Sequence, residues 1–396
     1  MDITIQPSVL YGSVPAIPSK SQAHRLLICA AFASGKTSLY CPQINRDIQA
    51  TADCLRALGA TIVRTETGFE VEPVVRIPES ADLNCCESGS TLRFFLPIVG
   101  ALGIDTTFHM EGRLPQRPLS PLWEEMERMG CSLTRPTPST IRCTGQLTPG
   151  SYSIDGGISS QFITGLLFAM ALMPKESSLL ITGKIESKPY IGMTLDALKA
   201  FSLPVSENNQ RFSVIPCKLQ SPANLTVEGD WSNAAFWLAA NALGSEVEIT
   251  NLNMQSAQGD RLVQAYLKAL EETATIDAAQ TPDLIPVLAV VAGAKRGATF
   301  LNAGRLRLKE TDRLITTAAL INSLGGSARI EGDCLTVEST GYTAGHVDAT
   351  NDHRIAMAAA VAAIVCTGPV TVHSAESVEK SYPHFWNDYR RLGGKI

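Results

Sequence analysis

At six places along this 396-residue chain a short polar cluster opens an almost wholly apolar run of helix length, which gives way to a small β-rich segment. The openings are Ser19-Lys20-Ser21, Ser88-Gly89-Ser90, Ser159-Ser160-Gln161, Asp230-Trp231-Ser232, Thr281-Pro282-Asp283 and Asn351-Asp352-His353. Most are spaced by about 70 residues, a regularity that marks an internal repeat. A helix that is hydrophobic all round has to be buried, so the fold must pack these helices against one another. Polar residues at the mouths of buried helices also leave backbone N–H groups and a positive dipole end where an anion can sit.

The third copy shows the unit. Ser151-Tyr152-Ser153-Ile154-Asp155 reads as extended, Gly156-Gly157 follows, Ser159 can cap the apolar run 162–173, and residues 178–181 read as a strand. A second, half-buried helix then completes the copy. Leu119, Leu122, Met126 and Met129 recur at i, i+3, i+7 and i+10, as do Tyr382, Phe385, Tyr389 and Leu392, so each of these helices carries one apolar stripe. Several end in an apolar residue plus glycine, at Leu58-Gly59, Met129-Gly130, Leu324-Gly325 and Leu392-Gly393, where glycine takes the left-handed position that closes a helix. Copies three and four break this rule at Phe201-Ser202 and Leu270-Glu271, and the fourth is shorter. Three units of this kind in each half give two compact α/β domains, with a boundary near residues 222–227. Solenoid repeats, the rival architecture, are shorter and rarely bury a helix on every side.

Hydrophobic residues make up 45% and charged residues 18% of the chain, as in an ordinary globular protein, and its net charge is -5. That balance argues against nucleic acid or a membrane surface as the main partner, so a basic site has to be local. The ten cysteines show no CxxC pair or zinc spacing, and Cys29 and Cys366 lie inside apolar runs, which points to reduced buried thiols. Residues 1–5 are unlike a targeting peptide, and every long apolar run is interrupted by Gly, Pro or charge. A cytoplasmic location is expected.

Chemistry-bearing residues collect at the helix mouths. Lys20, Ser21 and Arg25 lie on the first helix, Arg93 follows the second opening, and Arg117 lies in Leu114-Pro115-Gln116-Arg117-Pro118. In the second half, Arg307-Leu308-Lys309-Glu310-Thr311-Asp312-Arg313 is dense in charge. If it begins the helix that continues through 314–324, Lys309 and Arg313 share a face. Asp352-His353-Arg354 opens the sixth helix, and Lys380 precedes Ser381-Tyr382-Pro383. Each cluster alone also reads as a solvated helix start or a cap. Their recurrence at equivalent points of successive copies in an acidic protein points to a site for strongly anionic small ligands.

These segments carry a family resemblance. Ser19-Lys20-Ser21-Gln22-Ala23-His24-Arg25, Ser88-Gly89-Ser90-Thr91-Leu92-Arg93, Gln116-Arg117-Pro118, Ser159-Ser160-Gln161-Phe162 and Ser187-Lys188-Pro189-Tyr190-Ile191 match the first half of the pattern. Glu228-Gly229-Asp230, Lys309-Glu310-Thr311-Asp312-Arg313, Asp352-His353-Arg354-Ile355-Ala356-Met357 and Lys380-Ser381-Tyr382-Pro383 match the second. In this order the chain resembles the EPSP synthase family of the enolpyruvyl transferase superfamily. The resemblance implies an α/β (α+β) fold of two domains, each of three βαβαββ-type units with buried parallel helices under sheets. It further implies a discontinuous domain of residues 1–16 and 227–396, a second of residues 17–226, and a site in the cleft between them.

The implied reaction transfers the enolpyruvyl group of phosphoenolpyruvate to the 5-hydroxyl of shikimate 3-phosphate and releases phosphate, with no metal or organic cofactor, in a monomeric enzyme. The hydroxyl loses a proton as it attacks C2, C3 gains one, and the tetrahedral intermediate expels phosphate as C3 loses a proton again, so acid–base groups are needed at two places. By resemblance, Asp283 accepts the hydroxyl proton, Glu310 exchanges a proton at C3, and Lys20 contacts both substrates. Shikimate 3-phosphate falls to Lys20, Ser21, Arg25, Ser159, Ser160, Gln161, Ser187, Asp283 and Lys309. Phosphoenolpyruvate falls to Lys20, Gly89, Arg117, Gln161, Arg313, Arg354 and Lys380, with Arg93 and His353 lining the site. The sequence departs from the family's usual residues at Pro18, His24, 87–90 and Arg305, where Gly, Asn, Asn-Ala-Gly-Thr and Asn are common. A sister enzyme acting on a UDP-amino sugar (UDP-N-acetylglucosamine enolpyruvyl transferase) would need a reactive Cys in a first-half loop, whereas Cys131 and Cys143 follow the second outer helix. A non-catalytic anion-binding relative would be expected to lack Asp283 or Glu310.

Overall fold

The computed structural model describes residues 1–396. The chain separates into two compact units, Lys20–Val227 and Met1–Ser19 together with Glu228–Ile396.

In the first of these, the second and third repeats follow one plan of strand, buried helix, strand, outer helix and hairpin. The second repeat runs Ser80–Asn84, Gly89–Leu102, Asp105–His109, Leu122–Arg128, then Cys131–Thr137 and Thr140–Gly145. Its first two strands are parallel, and the hairpin adds antiparallel to the second. The third repeat repeats this order from Ser151–Asp155 to Arg211–Val214. The first repeat lacks its own opening strand. Asn224–Thr226, from the far end of the unit, pairs parallel with Thr37–Tyr40 in that place. Beneath the sheets lie the helices Lys20–Ala31, Gly89–Leu102 and Ser160–Leu172, buried nearly throughout. The latter two touch backbone to backbone, since a Cβ at Gly165 would lie 2.3 Å from the Arg93 carbonyl oxygen. That contact, available to glycine alone, brings the second and third helix mouths together.

The other unit buries Trp231–Ala242, Ile285–Ala294 and His353–Ala363. Its fifth repeat is complete, from Ala274–Asp277 to the hairpin Ser327–Glu331 and Cys334–Glu338. The other two borrow strands from the N-terminus. Ile3–Ile5 pairs antiparallel with Val370–His373, and Tyr11–Pro15 pairs parallel with Glu246–Thr250. Trp237 stacks on Phe385 at 5.1 Å between ring centroids, fixing the last outer helix to the fourth buried one.

Two of the outer helices are shorter than their apolar spacing suggests. They span only Leu122–Arg128 and Phe385–Arg391, because Pro121 stands at the first start and Pro383 just before the second. Leu119, Met129, Tyr382 and Leu392 fall outside the helices yet remain buried. The glycine stops are present, with Gly59, Gly130, Gly325 and Gly393 all at positive φ. In the third copy Ser202 takes the same left-handed position at φ 64°.

Candidate active site

At the mouth of the first buried helix, Lys20 Nζ lies 2.9 Å from the Asp47 carboxylate. One turn on, Arg25 is buried. Its Nε donates to Thr194 Oγ1 at 2.9 Å, Nη1 to the Ser21 carbonyl at 2.6 Å, and Nη2 to the Tyr190 carbonyl at 2.9 Å and Thr164 Oγ1 at 3.3 Å. All of these acceptors are neutral oxygens, and burial pulls the guanidinium pKa down to about 10. A buried cation held without a carboxylate is primed for an anionic ligand.

The second and third mouths are linked through side chains. Ser88 caps its helix by accepting from Thr91 N, and Ser159 caps the next by accepting from Gln161 N. Arg93 Nη1 donates to Gln161 Oε1 at 2.7 Å, while Gln161 Nε2 donates to Ser90 Oγ at 2.8 Å. The Arg117 guanidinium lies against Gly89, where a Cβ would sit 2.6 Å from Nη1. Ser160 and Ser187 are buried, the latter opening the helix Lys188–Ala200 at φ 54°. The sequence-expected residues of this half are thus gathered at adjoining helix ends.

A buried relay, invisible in the sequence, runs behind them. His24 Nδ1 meets Thr51 Oγ1 at 2.6 Å, Thr51 meets Thr91 Oγ1 at 2.8 Å, and Thr91 donates to Ser88 Oγ at 2.8 Å. Because Thr91 spends its proton on Ser88, Thr51 has to donate to Thr91, and His24 therefore donates from Nδ1. Burial, with Lys20 and Arg25 nearby, keeps this imidazole neutral by lowering its pKa well below the usual value.

In the other unit the charged groups converge on Asp283, one residue into the 3₁₀ turn Pro282–Leu284. Lys309 Nζ is 3.1 Å, Arg313 Nη1 2.8 Å and Arg354 Nη2 3.7 Å from its carboxylate. Burial alone would raise the Asp283 pKa, but Lys309, Arg354 and Arg313 outweigh it and hold the group well below the carboxylate range. Arg313 also binds Glu310, and it meets Asp352 through Nε at 2.8 Å and Nη2 at 3.1 Å. Burial lowers the Lys309 pKa, with Asp283 acting in the opposite sense. His353 and Arg354 are buried at the sixth mouth, where Asp352 Oδ1 accepts from Arg354 N. Lys380 Nζ donates to the Asn351 carbonyl at 2.8 Å. Asp230 caps the fourth helix through Asn233 N. Buried Asp260 rises to about 6 through burial and the neighbouring Asp283 charge.

One sequence expectation fails here. Lys309 does not share a helix with Arg313; the helix is Arg313–Ser323, capped by Asp312, and Lys309 is extended after the 3₁₀ turn Gly304–Leu308. Asp312 takes the cap because its side chain accepts from Ile315 N, which starts the helix too late to include Lys309. Both cations reach Asp283 nonetheless. Asp47 and Asp260 carry no sequence signal as partners of the cations, whereas Asp352 stands in the Asp352-His353-Arg354 cluster.

The family pattern of EPSP synthase (3-phosphoshikimate 1-carboxyvinyltransferase) matches residues 5–389. The chain belongs to the EPSP synthase family. A 3-phosphoshikimate 1-carboxyvinyltransferase of Clostridium kluyveri is 36% identical, spanning 100% of this chain and 98% of its own. One of Clostridium perfringens is 37% identical over 99% and 98%. The EPSP synthase structure from Acinetobacter baumannii matches with a TM-score of 0.81 at 23% identity, covering 99% of this chain and 98% of that one. The enolpyruvyl transferase NikO from Streptomyces tendae matches at 0.78 and 17% identity, covering 99% and 97%. These structural likenesses establish the fold, the mixed α/β enolpyruvyl transferase architecture. Membership makes the chain a transferase of the shikimate pathway, acting on shikimate 3-phosphate in aromatic amino-acid biosynthesis, and sets aside the UDP-amino-sugar acceptor. No three His, Cys, Asp or Glu side chains are arranged to hold a metal ion, and no helix is long and apolar enough to cross a membrane.

Proposed function

We propose that the helix-mouth residues of both units act together in the EPSP synthase reaction, with Asp283, Glu310 and Lys20 carrying the chemistry. The observation that supports this most is the grouping of Lys309, Arg313 and Arg354 around the single carboxylate of Asp283. Such a cluster supplies a base and, next to it, the positive charge that a phosphate- and carboxylate-bearing donor requires. Asp283 takes the proton of the 5-hydroxyl as it attacks C2 of phosphoenolpyruvate. Glu310, protonated when the donor is in place, gives its proton to C3 and takes one back from the resulting methyl group as phosphate leaves, while the proton held by Asp283 goes to the departing phosphate. Lys20, paired with Asp47, steadies the charge of the tetrahedral intermediate.

Arg25, with its uncompensated buried charge, is suited to the acceptor phosphate, helped by Ser21, Ser159, Ser160, Gln161, Ser187 and Lys309. Arg117 over Gly89, with Arg313, Arg354, Gln161 and Lys380, takes the donor, while Arg93 and His353 line its place. Proton transfer and electrostatic stabilisation suffice for this addition–elimination, so the proposal includes no metal or organic cofactor. It also takes the protein to be a cytoplasmic monomer. The test is phosphate release from phosphoenolpyruvate and shikimate 3-phosphate by wild type, Asp283→Asn and Lys20→Ala. The proposal expects turnover that needs both substrates and falls at least about 100-fold in each variant. Undiminished turnover by both variants would sink the residue roles.

A further inference from the structure

A guanidinium presents five N–H groups and grips a carboxylate best through two parallel bonds along one edge. In Arg313 both usable edges are occupied by carboxylates of its own chain. The Nε/Nη2 edge holds Asp352, with bonds of 2.8 Å to Oδ2 and 3.1 Å to Oδ1. The Nη1/Nη2 edge holds Asp283, 2.8 Å from Nη1, and Glu310 on Nη2.

The two edges differ in how firmly they are held. Asp352 is fully buried, caps the sixth helix through Arg354 N, and accepts from Thr311 Oγ1 at 3.0 Å. Asp283 and Glu310 remain 21% and 24% exposed, and Asp283 keeps Lys309 and Arg354 as further partners. An incoming carboxylate can therefore take only the edge that Asp283 and Glu310 occupy.

We propose that the donor carboxylate exchanges with Asp283 and Glu310 on the Nη1/Nη2 edge of Arg313, so that these two side chains are freed for proton transfer only once the donor is bound. The inference rests on Arg313 being a donor ligand. Arg313, Lys309 and Arg354 oppose protonation of Asp283, whereas Glu310 and Asp260 favour it. Removing Arg313 from that balance makes Asp283 a stronger base. Glu310 likewise gives up an ion pair, can take up from solvent the proton that it delivers to C3, and can turn toward that carbon. Asp352 becomes a positioning residue that fixes Arg313 while its other edge changes partners.

The exchange makes a counterintuitive prediction, that removing a catalytic carboxylate tightens donor binding. Binding of phosphoenolpyruvate and, separately, of inorganic phosphate is measured by calorimetry without acceptor, so that no turnover occurs, in wild type, Asp283→Asn, Glu310→Gln, Arg313→Lys and Arg313→Lys/Asp283→Asn. Loss of a competing charge-assisted bond should tighten phosphoenolpyruvate roughly three- to tenfold in both neutral variants. Inorganic phosphate, which has no carboxylate to compete for the edge, should bind as it does to wild type. Arg313→Lys, which has no such edge, should bind phosphoenolpyruvate more weakly and gain nothing from the added Asp283→Asn.

Unchanged or weaker phosphoenolpyruvate binding in both neutral variants would overturn the exchange. Equal tightening of phosphate would do so too, since it would reveal only a general loss of negative charge. So would tightening that persists in the double variant. None of these results bears on whether wild type turns over phosphoenolpyruvate with shikimate 3-phosphate, so the exchange can fail while the proposed function stands.

Discussion

Gly89→Ala isolates one contact of the donor site. The new methyl would lie 2.6 Å from Arg117 Nη1, 3.0 Å from Cζ and 3.3 Å from Nη2. Ordinary contact begins near 3.4 Å, so the guanidinium has to retreat by about 0.8 Å. Backbone strain is not the issue, because Gly89 is the first residue of a regular helix and alanine favours a helix over glycine by up to ~1 kcal/mol. A charge-assisted hydrogen bond contributes about 1.5–3 kcal/mol, and displacing Arg117 should forfeit roughly half of it. That corresponds to a loss of roughly three- to tenfold in kcat/KM for phosphoenolpyruvate. Steady-state kinetics with each substrate varied in turn, beside thermal melts, separates the effects. KM for phosphoenolpyruvate should rise, KM for shikimate 3-phosphate should hold within about twofold, and the melting temperature should stay level or rise slightly. An unchanged donor KM would refute the placement of Arg117 on the donor, and a lowered melting temperature with both KM values raised would refute the claim that the methyl disturbs only a side chain.

Asp352→Ala should destabilise its unit by about 3 kcal/mol, because it strips the buried Nε/Nη2 edge of Arg313 of its carboxylate and removes the cap of the sixth helix; urea unfolding reads this as a lowered midpoint. Thr51→Val should cost about 1–3 kcal/mol by stranding the buried His24 Nδ1–H, and Thr51→Ser, which keeps the hydroxyl, should recover most of it in the same assay. The Asp283 ion pairs should show in acid unfolding. Its folded pKa lies well below the unfolded value, so its contribution is complete above the ordinary aspartate pKa of about 3.9 and is lost as pH falls from there through the lower folded value. Asp283→Asn should flatten that part of the stability-versus-pH curve, and an unaltered curve would contradict the pairing.

Much of the fold follows from local pattern. The buried helices announce themselves because all-round apolarity leaves no other place for them, and Gly59, Gly130, Gly325 and Gly393 mark helix ends because left-handed backbone suits glycine. The borrowed strands do not announce themselves. Ile3–Ile5, Tyr11–Pro15 and Asn224–Thr226 are short, and their sheets are chosen by packing across long stretches of chain. Apolar spacing overstates the outer helices because it continues before the prolines at their starts and onto their C-caps, Met129 and Leu392. At the site, the cations were legible as a recurring excess of charge at helix mouths. Their partners were not, since a buried polar group is satisfied by whatever tertiary packing brings near. His24 meets Thr51, and Arg313 meets Asp352 from another helix; no spacing rule links either pair.

The proton traffic at C3 offers the most direct test of the proposed chemistry. If the hydroxyl adds to C2 while C3 becomes a methyl group, and that methyl then loses a proton, product formed in D2O has to carry deuterium in its enolpyruvyl methylene. Proton NMR of product made from unlabelled phosphoenolpyruvate and shikimate 3-phosphate by the wild-type protein should show that deuterium, and Glu310→Gln should slow product formation and deuterium entry together. Product with a fully protonated methylene, formed at the wild-type rate, would contradict addition–elimination through a methyl intermediate and with it the role given to Glu310.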